Sequence, residues 1–310
     1  MLAPWLELPG LADRLGAYSG VVGQDLTAHG TTSDADTIRD TAVAQPLLVA
    51  SALLTFHAVF DGDLAGATGP AIDAVAGHSV GEFGAAAIAG VLTEDEALDL
   101  VAVRGAAMAR AAAVTPTGMS ALLGGDPAEV LARLAELGLT AANVNGAGQV
   151  VAAGTLAALA ALTADPPART RVIPLQVAGA FHTTHMAPAV DELAARAAAI
   201  VPADPRIALL SNADGTQITS GAHALERLVA QVANPVRWDL CQRTLQDLGI
   251  TGLLELAPAG VLTGLARRTL PGVETVAVKT PADLDAARDL VRRHLFTATP
   301  TTPHSQENHS

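Results

Sequence analysis

The 310 residues include one cysteine, one lysine and one tyrosine. Cys241 standing alone excludes an internal disulfide and any Cys-x-x-Cys metal or redox pair. Lys279 standing alone leaves cationic chemistry to arginine, which stays charged and can grip a carboxylate through two parallel hydrogen bonds. Basic residues are also few, 18 against 31 acidic ones, and the formal net charge of -13 argues against nucleic acid as a partner, since phosphate binding needs clustered Lys and Arg. No apolar run approaches the roughly 20 residues that span a bilayer. The opening MLAPWLELPGLADRLG carries Glu7 and Asp13 where a signal peptide would be basic and then continuously apolar. The expectation is a cytoplasmic globular protein with no membrane and no nucleic-acid partner.

Half of the residues are hydrophobic, enough for one large domain or two modest ones. Residues 5–75 read as helical, with a long apolar helix pair broken near Pro46, and AIDAVAG (71–77) as a short buried strand. That strand runs straight into AGHSVGEFGAA, where Ser79 stands between Gly77 and Gly81. Gly-x-Ser-x-Gly arises by chance in a chain of this length with a probability on the order of 0.1 to 0.2, so the pattern alone leaves Ser79 either a nucleophile or a turn residue. Its context is sharper, because strand, glycine-bounded serine and small-residue helix is the setting of a nucleophile elbow. Thr93 and Glu96 form a capping box ahead of the next helix.

From 116 to 178 the pattern changes to strand, helix, strand, strand, helix, strand, which is the ferredoxin-like β-α-β-β-α-β order. It reads as a subdomain inserted into a larger α/β domain made of 1–115 and 179–295. The stretch 296–310 has no periodicity and reads as a disordered tail.

Arg104 lies on the apolar stripe of its helix, in line with Ala97, Leu100, Val101 and Met108. A buried guanidinium needs a partner, so Arg104 is either half of a structural ion pair or a pocket residue awaiting an anionic ligand. His182 follows the last strand of the inserted unit, at the junction of both domains, and is either a packing histidine or a base. His182 and His185 make an H-x-x-H pair, but zinc needs a third ligand and no clustered Cys or His supplies one.

Six segments, AGHSVGEFGAAAIAG, RGAAMARA, NVNGAGQVVAAG, AGAFHTTHMAPAV, NPVRW and LELAPAGVLTGL, occur in an order and at separations that resemble the malonyl-CoA:acyl carrier protein transacylases, over residues 5 to 295. The resemblance implies an α/β hydrolase-like larger domain with a parallel sheet. It also implies an S-malonyltransferase that moves malonyl from coenzyme A to the phosphopantetheine thiol of an acyl carrier protein through an O-malonyl serine. Ser79 is then the nucleophile, His182 its base, and Arg104 the ligand of the substrate carboxylate. The Gln231 backbone carbonyl orients the histidine, and Val80 N–H forms half of an oxyanion hole. Phe181, Gln45, His78 and Asn143 fall in the substrate pocket. No metal and no bound cofactor are implied, phosphopantetheine arriving on the carrier, and the protein is expected to act as a monomer in fatty acid or polyketide synthesis. Arg169, Arg171, Arg267 and Arg268 are candidates for a basic patch facing an acidic carrier.

One departure stands out. The family opens with a strand and a PGQG turn whose glutamine supplies the second oxyanion N–H, and no PGQG occurs here. The expectation is that Met1 is internal to a longer natural chain. The alternatives are a catalytically impaired carrier-docking homologue and a serine hydrolase or thioesterase. The last needs an acidic partner for its histidine and has no use for a buried arginine.

Overall fold

The computed structural model describes residues 1–60 and 72–295. The expected tail at 296–310 lies outside the described residues. Helices α1 (Leu11–Val22), α2 (Leu26–Thr31), α3 (Ala35–Arg39) and α4 (Thr41–Phe60) come first. Asp25 and Asp34 cap α2 and α3 by accepting a first-turn N–H. The break expected at Pro46 falls instead at Asp40, and α4 runs through the proline. Pro46 has no N–H to offer the carbonyl of Ala42, and that oxygen accepts from Gln24 Nε2 at 3.1 Å instead. The expectation that no apolar run approaches a membrane span is corrected with it. Unbroken, α4 has 20 residues and a mean hydropathy of 1.7, long and apolar enough by length and composition to cross a bilayer. Here it is a core helix, with Leu47, Val49, Ala50, Leu53, Leu54 and Val59 buried in the main apolar cluster.

The strand β1 (Ala74–Val75) is shorter than expected and half-buried, and leads through the serine turn into α5 (Gly81–Ile88) and α6 (Glu94–Ala112). The capping box at α6 forms, with Glu96 N–H donating to Thr93 Oγ1 and Thr93 N–H to Glu96 Oε2. Next come β2 (Thr117–Gly124), α7 (Pro127–Glu136), β3 (Thr140–Gly146), β4 (Gln149–Thr155), α8 (Leu156–Ala164) and β5 (Thr170–Pro174). Their strands pair antiparallel in the order β5-β2-β4-β3. Leu122 of the sheet packs with Val130 and Leu134 of α7 and with Leu159 and Leu162 of α8 on one face. On the other, Met119, Ala121 and Val151 meet Ala180 and Phe181.

The chain continues through α9 (Ala187–Ala197), β6 (Ala208–Leu210), β7 (Gln217–Ile218), α10 (Gly221–Ala230), β8 (Val236–Arg237) and α11 (Trp238–Asp247). It ends in β9 (Gly252–Glu255), α12 (Val261–Thr269), β10 (Glu274–Ala277) and α13 (Leu284–Leu295). β9 and β10 pair in parallel, and β8 adds in parallel to β3 as the fifth strand of the sheet β5-β2-β4-β3, tying those strands to the rest of the chain. β1 pairs in parallel with β6, Ala74 opposite Ala208 and Val75 opposite Leu209. Parallel strands end on the same side, so the segments after them, Gly77–Ser79 and Ser211–Asn212, emerge together.

Candidate active site

Ser79 occupies the turn between β1 and α5 with φ 53, a left-handed conformation that side chains other than glycine adopt at a cost. The glycine before it is dictated by space, since a Cβ on Gly77 would stand 2.0 Å from both C and O of Gly81. The turn brings Ser79 Oγ to 2.7 Å from Nε2 of His182, itself left-handed at φ 60 and only 3% exposed. His182 Nδ1 lies 2.9 Å from the carbonyl oxygen of Gln231. A carbonyl only accepts, so Nδ1 carries the proton and the Nε2 lone pair faces the serine hydroxyl. Burial first, and then the nearby charge of Arg104, pushes the His182 pKa down to about 3. The ring is neutral at physiological pH, the form a general base requires.

Arg104 projects from α6 into the same space at 1% exposure. Its Nη1 donates to Gln45 Oε1 at 2.5 Å and its Nη2 to Gln231 Oε1 at 2.9 Å, with Ser79 Oγ 3.4 Å from Nη2. The Phe83 ring lies 5.7 Å from the guanidinium carbon, and Nε has no hydrogen-bond partner among the described residues. Burial lowers the pKa to about 10, which leaves the group charged. Two amide oxygens and a hydroxyl hold the cation, and no carboxylate is hydrogen-bonded to it among the described residues, Glu82 acting on it through charge alone. Gln45, buried on α4, completes its own amide with a contact from Nε2 to Met108 Sδ at 3.4 Å.

Val80 N–H, just after the serine and ahead of α5, donates to no acceptor among the described residues, and it stands where the helix dipole favours negative charge. Phe181 packs against both the main core and the face of the five-stranded sheet that carries Met119, Ala121 and Val151. His78 sits beside Ser79 in sequence, but its ring turns elsewhere. Its Nε2 is 2.9 Å from Asn145 Oδ1, its ring meets that of Trp238 edge-on, and burial lowers its pKa. Asn143 is buried on β3 two residues before Asn145, and forms no hydrogen bond with Ser79, His182 or Arg104 among the described residues. No group of three or more metal-ligating side chains occurs among the described residues. The four candidate docking arginines are split by the fold. Arg169 and Arg171 lie at β5, whereas Arg267 and Arg268 are on α12, which packs against β3, with β2 and β4 in between.

Two residues not singled out from the sequence belong to the site. Glu82 lies in the first turn of α5, 4% exposed, and Asn212 follows β6, fully buried. Asn212 Oδ1 accepts from Ser79 N–H at 2.7 Å, and Glu82 accepts from both Asn212 N–H and Gln231 Nε2. A lone acid inside EFGAAAIAG was the available signal for Glu82; nothing in LLSNADG marks Asn212.

A serine with a neutral histidine oriented by a backbone carbonyl can be acylated and can pass the acyl group on. A buried cation within reach of the serine can bind an acyl group that carries an anion. The chain is also similar to known proteins. The acyl transferase domain family model matches residues 22–303. A malonyl CoA-acyl carrier protein transacylase of Mycolicibacterium smegmatis is 55% identical over 295 residues, 94% of this chain and all of the relative. The crystal structure of MCAT from Mycobacterium tuberculosis superposes with a TM-score of 0.88 at 54% identity, covering 93% of this chain and 94% of that one. A malonyl-transacylase in complex with its holo type II polyketide-synthase acyl-carrier protein superposes at 0.85 with 30% identity, covering 93% and 94%. With an α/β fold, a serine elbow and a matched span that takes in every residue of the site just described, the chain belongs to the acyl transferase domain family.

Proposed function

We propose that the protein is an acyl-carrier-protein S-malonyltransferase that moves a malonyl group from coenzyme A to the phosphopantetheine thiol of an acyl carrier protein. The observation that carries the reading is Arg104, a buried cation 3.4 Å from Ser79 Oγ whose hydrogen bonds among the described residues all go to neutral oxygens. An arriving carboxylate supplies the hydrogen-bonded anion that this guanidinium lacks among the described residues, and its binding fixes the thioester beside the serine.

In the first half-reaction His182 Nε2 takes the Ser79 proton as Oγ attacks the thioester carbonyl. The developing oxyanion meets Val80 N–H and the N-terminal end of α5. The tetrahedral intermediate expels coenzyme A as its thiol, His182 returning the proton to sulfur, and leaves O-malonyl Ser79. In the second half the same nitrogen takes the proton of the phosphopantetheine thiol, whose sulfur attacks the serine ester, and the proton goes back to Ser79 Oγ. Gln231 carbonyl holds the ring throughout, and Phe181 and Gln45 line the acyl side of the pocket with His78 and Asn143 further along it. The reading includes no resident cofactor or metal, and a monomer that works in the cytoplasm without membrane or nucleic acid. It divides the chain into a catalytic domain of 1–115 and 179–295 and an inserted unit of 116–178.

Incubation with malonyl-CoA, followed by mass spectrometry of the intact protein and of the Ser79 peptide, tests it directly. A malonyl adduct on Ser79 that a holo carrier protein discharges onto its own thiol is the expected result. Discharge to water at the same rate as to the carrier would favour the thioesterase reading.

A further inference from the structure

The amide of Asn212 spans the nucleophile turn from one side to the other. Its Oδ1 accepts from Ser79 N–H at 2.7 Å and its Nδ2 donates to Gly77 carbonyl at 2.8 Å. Asn212 is itself fixed by its backbone: its N–H donates to Glu82 Oε1 at 2.6 Å and its carbonyl accepts from Arg237 N–H at 2.7 Å. The other oxygen of Glu82 accepts from Gln231 Nε2, which also donates to Ser79 carbonyl at 3.0 Å. The orientation of the Gln231 amide is set from its far end. Arg104 Nη2 offers only donors, so Oε1 must face it and Nε2 must face Glu82. Gln231 carbonyl, in turn, holds His182.

We propose that Glu82 and Asn212 are positioning residues for acyl transfer, a buried carboxyl–amide clamp that holds Ser79 in its left-handed turn and ties that turn to the glutamine that carries both His182 and Arg104. The inference rests on Ser79 being the nucleophile. Neither residue touches the substrate; each acts through groups that do. The turn needs such a clamp because a non-glycine residue at φ 53 persists only where its surroundings over-determine it. The two members differ in reach. Asn212 bonds to the serine turn and to neither of the glutamines that hold the arginine, so it governs the chemical step. Glu82 bonds to Gln231 as well, so it governs the chemical step and the seat of the substrate carboxylate together.

The experiment measures single-turnover acylation of Ser79 by malonyl-CoA and, on a Ser79→Ala background, the Kd of malonyl-CoA. Melting curves confirm that each variant is folded at the assay temperature. Asn212→Ala should slow acylation by roughly 10- to 100-fold, the usual cost of about 1 Å of misplacement, while Kd stays within about twofold. Glu82→Gln keeps an oxygen for Asn212 N–H but turns an amide N–H2 toward Gln231 Nε2; it should slow acylation and weaken binding together. Wild-type acylation by a folded Asn212→Ala protein overturns the proposal, as does a Glu82→Gln protein with wild-type rate and Kd. Should Asn212→Ala not fold, Glu82→Gln alone decides. If neither folds, the clamp is a folding element and the proposal is overturned. Acylation of the Ser79→Ala protein itself would instead remove the nucleophile on which the inference rests, and so separates the two failures.

Discussion

The carbonyl oxygen of Gln231 stands 2.9 Å from His182 Nδ1, at the position where a serine protease keeps a carboxylate. A carbonyl orients the ring without adding a negative charge that would hold a proton on it. With burial and Arg104 acting in the same direction, the pKa falls to about 3. Acylation of Ser79 by malonyl-CoA is therefore expected to keep its rate as the pH is lowered through 6.5 to about 5, where an ordinary histidine would be mostly protonated. Stopped-flow acylation across that range checks it, and an acid limb centred near 6.5 would show that His182 is not the base or is not buried as described.

Glu82 titrates in the opposite sense. Burial raises its carboxyl to about 8 from 4.5, against the pull of Asn212 N–H, Gln231 and Arg104. Between those values the native protein holds a proton that the unfolded chain releases, so this group's contribution is full below 4.5 and is lost as the pH rises to 8. For His182, depressed from 6.5, the unfolded chain binds the extra proton, and its contribution is full above 6.5 and lost as the pH falls. The window from 6.5 to 8 isolates Glu82. Over it the wild-type protein should lose about 2 kcal/mol from this group, and the slope of melting temperature against pH should flatten in Glu82→Gln. Parallel slopes in the two proteins would count against it.

Arg104→Lys keeps a charge but gives up the planar two-point grip. Malonyl transfer should fall roughly 10- to 100-fold, the worth of a charged hydrogen bond, while acetyl-CoA, which has no carboxylate to seat, becomes a better substrate relative to malonyl-CoA. The measurement is the ratio of kcat/KM for the two thioesters, alongside a melting curve. An unchanged ratio would return Arg104 to a structural role.

On the proposed reading Phe181, next to His182 in the chain, and Val80, next to Ser79, crowd a methyl group at the α-carbon. Malonyl-CoA is expected to be preferred to methylmalonyl-CoA by roughly 10- to 200-fold in kcat/KM. Competition between the two for Ser79, read by mass spectrometry, gives the ratio, and comparable labelling by both would exclude a steric filter.

The glycines of the elbow make unequal demands. A Cβ at Gly77 would lie 2.0 Å from backbone atoms of Gly81 and 2.4 Å from Glu82 N, so Gly77→Ala must shift the main chain under the nucleophile. A Cβ at Gly81 meets nothing within 4 Å. Gly77→Ala should be inactive or unfolded, whereas Gly81→Ala should melt close to wild type, as thermal scans of the two will reveal.

Local signals carried much of this architecture. The run from strand through Gly77 and Ser79 into small residues announces the elbow. The spacing of Arg104 from Ala97, Leu100, Val101 and Met108 announces a buried cation, and the quoted motifs announce the family. Long-range partnership was not legible. Pro46 stays inside α4 because Gln24, 18 positions away from Ala42, satisfies the carbonyl it frees. Asn212 reaches Ser79 across 133 residues because β1 and β6 pair in parallel, which no neighbouring residue encodes. Arg169 and Arg267 look alike in the sequence, and only the strand order separates them.

Gln231 serves the base with its main chain and the arginine with its side chain. Any residue at that position would present a carbonyl to His182, but few would present an oxygen to Arg104. His182 therefore keeps its orienting carbonyl whatever side chain stands at 231, whereas the seat of Arg104 and the hold on the Ser79 turn both change with that side chain. On the proposed reading, a new acyl preference that starts at this position needs a side chain that still offers an acceptor to Arg104 and a donor to Glu82 and Ser79 carbonyl, which narrows the route to new thioester substrates to few residues.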